Sequence, residues 1–180
     1  MTEEHQLILD LQNRKTQSKA FDTLTSLYKE RLYWHIRKIV LIHADADDVL
    51  QNTFIKVFKN IENFKEESKL YSWMYRIATN ESITFLNKKA KTKNIPIEDY
   101  QKEVCNTLQT DDMYDGDTIQ LLLQKAIAQL PHKQQLVFNM KYFDEMKYDQ
   151  ISEILGTSVG ALKASYHHAV KKIEAFIKQY

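Results

Sequence analysis

Residues 148–172 read YDQISEILGTSVGALKASYHHAVKK, and this stretch decides the fold. Ile151, Ile154 and Leu155 recur at helical spacing, which predicts a short helix from about Tyr148 to Leu155. Gly156 suits the left-handed residue that follows a helix end. Thr157 or Ser158 is placed to cap a second helix, which runs to about Gln179. Val159, Leu162, Tyr166, Ala169, Val170 and Ile173 form the apolar face of that helix. Lys163, Ala164, His167 and His168 fall largely on the opposite face, followed by Lys171 and Lys172. Two helices joined by a glycine turn make a helix-turn-helix, whose second helix lies in the DNA major groove. Gly160 and Ala161 at its start permit close approach of another helix or of DNA. A helical hairpin with a solvated basic face has the same pattern. His167 and His168 point about 100° apart on a helix, so they do not share a metal ion.

Working toward the N-terminus, one helix covers Ile119 to Gln129, and Pro131 opens the next, which runs through Tyr142. From Thr92 to Asp117 the helical pattern fails. Pro96, Gly116 and the acids Asp111, Asp112, Asp115 and Asp117 sit there, as in a linker. Upstream, a long helix is predicted from Leu70 to Lys89, preceded by a polar loop, Phe64 to Lys69. Leu50, Phe54, Val57, Phe58 and Ile61 form the stripe of another helix, which Asp45 or Asp47 can cap. A further helix spans about Ser18 to His43. Leu7, Ile8 and Leu11 suggest a short one before it. The expectation is an all-α protein: two small helical domains joined by a flexible acidic linker. The divisions are 1–17 as an extension or short helix, 18–91, the linker 92–117, and 118–180.

Composition agrees. The chain has 180 residues, with only 3 Gly and 2 Pro, which argues against turn-rich β folds. It is 43% hydrophobic and 11% aromatic, enough to build a core. A single cysteine, Cys105, excludes an internal disulfide framework and a cysteine-based zinc finger. Apolar runs such as Ile39–Ile42 are far too short to span a bilayer, and the N-terminus is polar and unlike a signal peptide. Net charge is +2 over residues 1–90, −4 over 91–117 and +3 over 118–180. Two basic blocks flank an acidic connector, which suits a nucleic-acid partner for the blocks.

The first block has its own constellation. Tyr71, Trp73, Tyr75 and Arg76 put three aromatics and a cation into six residues, with Thr79 and Asn80 one to two turns further along. Aromatics stack on unpaired bases while cations hold phosphates. Trp73 taken alone reads equally as a core residue. Asp45, Asp47 and Asp48 lack the histidine or carboxylate company of a metal site, and suit helix capping or protein contact. No nucleophile–base pair, metal motif or phosphate loop is present, so neither an enzyme nor a cofactor is expected.

These residues carry a resemblance. Asp47-Asp48-Val49-Leu50-Gln51-Asn52-Thr53-Phe54, then Ser72-Trp73-Met74-Tyr75-Arg76-Ile77-Ala78-Thr79-Asn80, then Leu130-Pro131 and the helix-turn-helix resemble an extracytoplasmic-function (ECF) sigma factor of bacterial RNA polymerase. ECF factors are the smallest group of the sigma-70 family. The likeness covers roughly residues 18–180, and the helix-turn-helix wording is close to Bacteroidetes members. It implies a cytoplasmic, non-enzymatic protein with no cofactor and no membrane insertion. Region 2 would be 18–91 and region 4 would be 118–180. The implied partners are core RNA polymerase, through the clamp of its largest subunit and the flap of the second largest, promoter DNA, and an anti-sigma factor. The linker would thread toward the active-site and RNA-exit channels. The resemblance implies that Asp47, Asp48, Gln51 and Asn52 bind the core enzyme. It assigns −10 contacts to Lys56, Phe64, Tyr71, Trp73, Arg76, Asn80, Lys88 and Lys89. It assigns −35 contacts to Lys163, Ala164, His167, His168, Lys171 and Lys172. The family's −35 helix usually carries arginines where Lys163 and His168 stand, so the resemblance does not carry over a −35 base preference.

Overall fold

A computed structural model describes residues 3–108 and 118–180. Among these, nine α-helices occur and no strand. They are α1 (Glu3–Gln12), α2 (Gln17–Val40), α3 (His43–Asn60), α4 (Leu70–Lys93), α5 (Ile97–Thr107), α6 (Thr118–Ala128), α7 (His132–Tyr142), α8 (Tyr148–Leu155) and α9 (Val159–Ile177). A 3₁₀ turn, Ile61–Asn63, closes α3. The acids Asp111, Asp112, Asp115 and Asp117, and Gly116, lie outside the described residues.

The helix periodicities place the core. Leu24, Leu32, Ile36 and Ile39 of α2 meet Val49, Leu50, Phe54 and Val57 of α3 and Leu70, Met74, Ala78 and Leu86 of α4 in one buried cluster. Ile8 and Leu11 anchor α1 to it. The stripe expected for α3 needs one change: Phe58 is exposed, while Val49 is buried. Neither Asp45 nor Asp47 caps α3, because its N-cap is Ile42. Asp45 is instead buried beside Lys89, 3.5 Å away.

The segment 92–117 differs from its sequence expectation. Residues 97–107 form α5, with Pro96 as N-cap and Glu98 and Asp99 in the first turn, where acids suit the helix dipole. Tyr100, Val104, Cys105 and the following Leu108 are buried in the main cluster. Gln101 Nε2 donates to the Ile39 carbonyl at 3.2 Å. The apolar stripe was present in the sequence, and Pro96 starts the helix rather than breaking it.

The second unit is built on α6–α9. Ala126, Ile127, Leu130 and Phe138 meet Ala169 and Ile173 of α9 in a second cluster. Gly156 closes α8 at φ +65°, as its turn position requires. Ser158 caps α9, its hydroxyl accepting from the Ala161 amide at 3.3 Å. The main cluster also takes in Leu136, Val137 and Met140 of α7, Met146 of the turn that follows, Ile151 and Ile154 of α8, and Leu162 of α9. The apolar core therefore continues from the first unit into the second.

If α5 is a packed element, Leu108→Ala should destabilise the protein by about 2–4 kcal/mol in urea unfolding. A change within about 0.5 kcal/mol, normal for a surface position, would mean that this segment is an unpacked connector.

Candidate nucleic-acid interface

Three surfaces collect the residues singled out above. On α3, Asp47, Asp48, Gln51 and Asn52 are all exposed. Asp47, Asp48 and Gln51 border a groove of about 590 Å³ between α2 and α3, floored by Phe21, Leu50, Phe54, Ile55 and Phe58, while Asn52 lines the neighbouring cleft with Lys88. Ile55 and Phe58 are 45% and 41% exposed, large values for apolar side chains on one short helical face. Sequence reading put Phe58 in the core, so this apolar floor went unrecognised. Lys29 and Lys59 share the rim with Asp47 and Asp48, and exposed apolar surface with a charged rim is the profile of a protein contact.

The second surface surrounds the start of α4. Asn63, Phe64, Lys65, Glu67, Ser68, Trp73 and Arg76 line a cavity of about 470 Å³. Phe64 is only 8% exposed, and its ring lies 4.9 Å from that of half-buried Trp73. Phe64 thus forms the wall of the cavity rather than a free stacking platform. Tyr71 and Tyr75 lie off this cavity: their rings face each other at 4.3 Å, and Tyr75 is buried. Burial and the neighbouring Tyr71 push the Tyr75 hydroxyl far above the usual tyrosine range. Asn80 is exposed one turn beyond Arg76. The lysines are not equivalent. Lys56 is ion-paired with Glu81. Lys89 reaches Asp45 and lies over the Phe85 ring at 5.2 Å. Lys88 is exposed and lines a cleft with Asp48, Gln51 and Asn52.

On the third surface, Lys163, Ala164, His167, His168, Lys171 and Lys172 are all exposed along one side of α9. Lys163 Nζ stands 5.9 Å from the Tyr148 ring centre, and Lys172 Nζ donates to Gln134 Oε1 at 3.2 Å. Gly160 is open: a Cβ built there meets nothing within 4 Å. Its small size therefore serves no helix–helix contact, and the helix start is free for a partner. Among the described residues, no group of three or more His, Cys, Asp or Glu is arranged to hold a metal ion.

A polar contact joins the two units, and it was not legible in the sequence. Asp144, in the turn between α7 and α8, lies between Lys38 Nζ and His35 Nδ1, each 2.8 Å from one of its carboxylate oxygens. His35 Nε2 meets the Thr79 hydroxyl at 2.8 Å. Burial alone would raise the Asp144 pKa, but the hydrogen bonds and charges of His35 and Lys38 outweigh it and hold the carboxyl below its usual range. Nearby, the Ser72 hydroxyl donates to Glu153 Oε2 at 2.6 Å, and the Arg76 guanidinium donates to the Glu153 carbonyl.

Comparison with known proteins places the chain in one family. Residues 24–92 match sigma-70 region 2, and residues 120–173 match sigma-70 region 4. The chain is 30% identical over 166 residues to the ECF RNA polymerase sigma factor SigW of Bacillus subtilis, covering 87% of this chain and 88% of that one. It is 28% identical to the ECF RNA polymerase sigma-E factor of Haemophilus influenzae, covering 87% and 86%. Its fold is similar to that of CnrH in complex with the cytosolic domain of CnrY, with a TM-score of 0.71, 17% identity, and 98% and 97% of the two chains covered. The sigma factor RpoE in complex with the anti-sigma factor NepR, from Bartonella quintana, has a TM-score of 0.67 and 20% identity, covering 89% and 98%.

The buried carboxylate gives a pH test. A lowered folded-state pKa contributes stability above the ordinary aspartate value of 3.8, and that stability is lost as pH falls through the lower folded value. Asp144→Asn should therefore cost about 3 kcal/mol at pH 7. The gap between wild type and variant should close in acid, at pH values below the carboxylate range. Denaturant titrations at both pH values check this, and a gap independent of pH would show that the charge contributes nothing.

Proposed function

The chain belongs to the ECF sigma factors of the sigma-70 family, and we propose that its exposed surfaces divide the work of initiation among themselves. It is an RNA polymerase sigma factor that directs promoter-specific transcription initiation. The observation that carries the division is the separation of three chemically distinct surfaces: an acidic–apolar groove, a cavity with an aromatic wall, and a basic helix face. Sigma factors are non-catalytic initiation factors, and this chain acts as one, without catalytic residues or a cofactor. It works in the cytoplasm beside its polymerase. Among the described residues no helix is long and apolar enough to cross a membrane. The wording of the helix-turn-helix supports a Bacteroidetes type.

The α3 surface binds the polymerase clamp. Asp47, Asp48 and Gln51 supply a polar rim, with Asn52 in the adjoining cleft, and Ile55 and Phe58 an apolar centre, the usual anatomy of a protein interface. The second unit, 118–180, engages the flap of the second-largest subunit. CnrH and RpoE are each complexed with a partner chain, and for RpoE that partner is an anti-sigma factor. By analogy, this chain takes an anti-sigma factor.

The Phe64–Asn80 segment reads the −10 element. Flipped bases need a pocket and polar readout of their edges. The cavity walled by Phe64 and Trp73 supports the first, and Asn80, with donor and acceptor on one amide, the second. Arg76, Lys88, Lys89 and Lys56 hold phosphates, and Tyr71, packed on Tyr75, supports the start of α4. The last two lysines give up ion pairs with Asp45 and Glu81 to do so. The α9 face reads the −35 element. Lys163, His167 and His168 approach base edges, and Ala164 offers a methyl to thymine. Lys171 and Lys172 hold phosphate and set the register.

Asp48→Arg should weaken core binding at least tenfold while leaving helical content unchanged, because an exposed acid contributes little to folding. Normal affinity in a pull-down or fluorescence titration would move the clamp surface elsewhere. On DNA, Asn80→Ala should lose discrimination at one −10 position. Lys163→Ala and His168→Ala should each cost about 1–3 kcal/mol at particular −35 bases. Lys172→Ala should weaken all sequences alike and flatten the salt dependence. Holoenzyme binding to promoter libraries at two salt concentrations separates these outcomes. Unchanged base preferences in the Lys163 and His168 variants would remove α9 as the reader.

A further inference from the structure

The N-terminal helix α1 makes contacts that its exposed, charged composition does not announce. Its Gln12 Nε2 donates to two carbonyls, Ile61 at 3.2 Å and Phe64 at 2.8 Å, 49 and 52 residues away in sequence. These are the first residue of the 3₁₀ turn after α3 and the residue that ends it. The Ile61 carbonyl already accepts from the Phe64 amide at 3.1 Å, and the Gln12 amide adds a second donor to it and one to the Phe64 carbonyl, which bonds the closed turn to α1. Two further ties run from the opposite end of α1. His5 Nδ1 meets Glu66 Oε2 at 3.0 Å, and Glu66 stands at φ +54°, a conformation costly for a residue with a side chain. Glu4 Oε1 accepts from the Leu70 amide at 3.4 Å, at the start of α4, where Lys69 provides no side-chain cap.

The tied segment 61–70 is the one that carries Phe64, Lys65, Glu67 and Ser68 of the α4 cavity. Ile8 and Leu11, both fully buried, fix α1 to the core, so the ties run to a rigid support. We propose that α1 is a positioning element of the base-reading cavity, with Gln12 its principal residue. Gln12 holds the Phe64 backbone so that the wall of the cavity faces Trp73 before DNA arrives. The saving is preorganisation. A loop already ordered in its bound shape does not lose that freedom when a base enters. This inference rests on the reading that the Phe64–Asn80 segment takes the −10 element. Gln12 touches no base in it, and acts through the loop.

The test uses the full chain assembled with core polymerase. Gln12→Met keeps the length of the side chain and removes both donors, and Gln12→Arg restores N–H donors. Three quantities are measured: core affinity, binding to a −35 duplex, and promoter opening across a −10 library by a fluorescent base. Losing two carbonyl hydrogen bonds should reduce opening on the best −10 sequence about tenfold and flatten the preference among −10 sequences. Core affinity and −35 binding should stay within twofold, and Gln12→Arg should recover part of the preference. A fluorescent base in a pre-melted promoter should also be captured less well. Unchanged opening and preference in Gln12→Met would overturn the proposal, as would equal loss in core and −35 binding. If Gln12→Met fails to assemble, His5→Ala combined with Glu4→Ala cuts the other two ties, and unchanged −10 preference there overturns it as well. Asn80→Ala is run in parallel. If it leaves −10 preference untouched, the −10 reading itself fails. If Asn80→Ala acts and Gln12→Met does not, only the role of α1 is lost.

Discussion

Taking the Asp144 carboxylate out of water is the constraint around which the two units are arranged. Its side chain is only 8% exposed, and an unpaired charge there would cost several kcal/mol. Lys38 and His35 make the site tolerable, one on each oxygen. Both come from α2, and His35 continues the contact to Thr79 on α4. The turn after α7 is thus fixed against the two helices that form the centre of the first unit. An apolar contact could slide, but a buried carboxylate bonded at both oxygens has one acceptable position.

That arrangement bears directly on residues proposed to read the −10 element. Arg76 lines the cavity and at the same time donates to the carbonyl of Glu153 on α8. Ser72 donates to the carboxylate of the same residue. A carbonyl is a neutral acceptor, whereas a phosphate is an anion that a guanidinium can meet with two parallel bonds. Under the proposed role, Arg76 would exchange the Glu153 carbonyl for that charged partner. The buried bonds of Asp144 have no such replacement in DNA. The two parts of the contact thus respond differently to the ligand, although they lie on neighbouring turns.

Sequence periodicity made most of the helices legible, because each long helix buries one stripe against the same core. Two failures are informative. The stripe Tyr100, Val104 and Leu108 was as regular as that of α2, but Pro96 and the downstream acids dominated the reading of that segment. Pro96 was a start signal read as a break. At the N-terminus of α3, Asp45 had the right chemistry for a cap, but the helix begins before it, and burial gave the acid to Lys89 instead. The exposure of the residues singled out was legible because a helix face can be read from spacing alone: all six on α9 are exposed, as are the four on α3. Contacts that depend on distant chain segments carried no local signal. Asp144 and Lys38 are 106 residues apart, and Gln12 and Phe64 are 52 apart. Polar side chains at such separations read as ordinary solvent-facing residues.

The composition of the α9 face sets what kind of specificity it can give. Arginine offers a rigid fork that matches guanine at two points, whereas lysine is a point charge on a flexible stem. With Lys163 and His168 where arginines are usual, each base contact proposed for this helix discriminates less. Orientation must then carry more of the specificity. Several features of the helix supply it. Ser158 fixes its start, Ala169 and Ile173 bury its back, and Gln134 on α7 holds Lys172. A lysine already held in place loses less side-chain freedom when it meets a phosphate. Rigid phosphate anchors at one end and an unobstructed Gly160 at the other leave the middle of the helix one register on the groove. In that register, weaker base contacts still fall on defined positions.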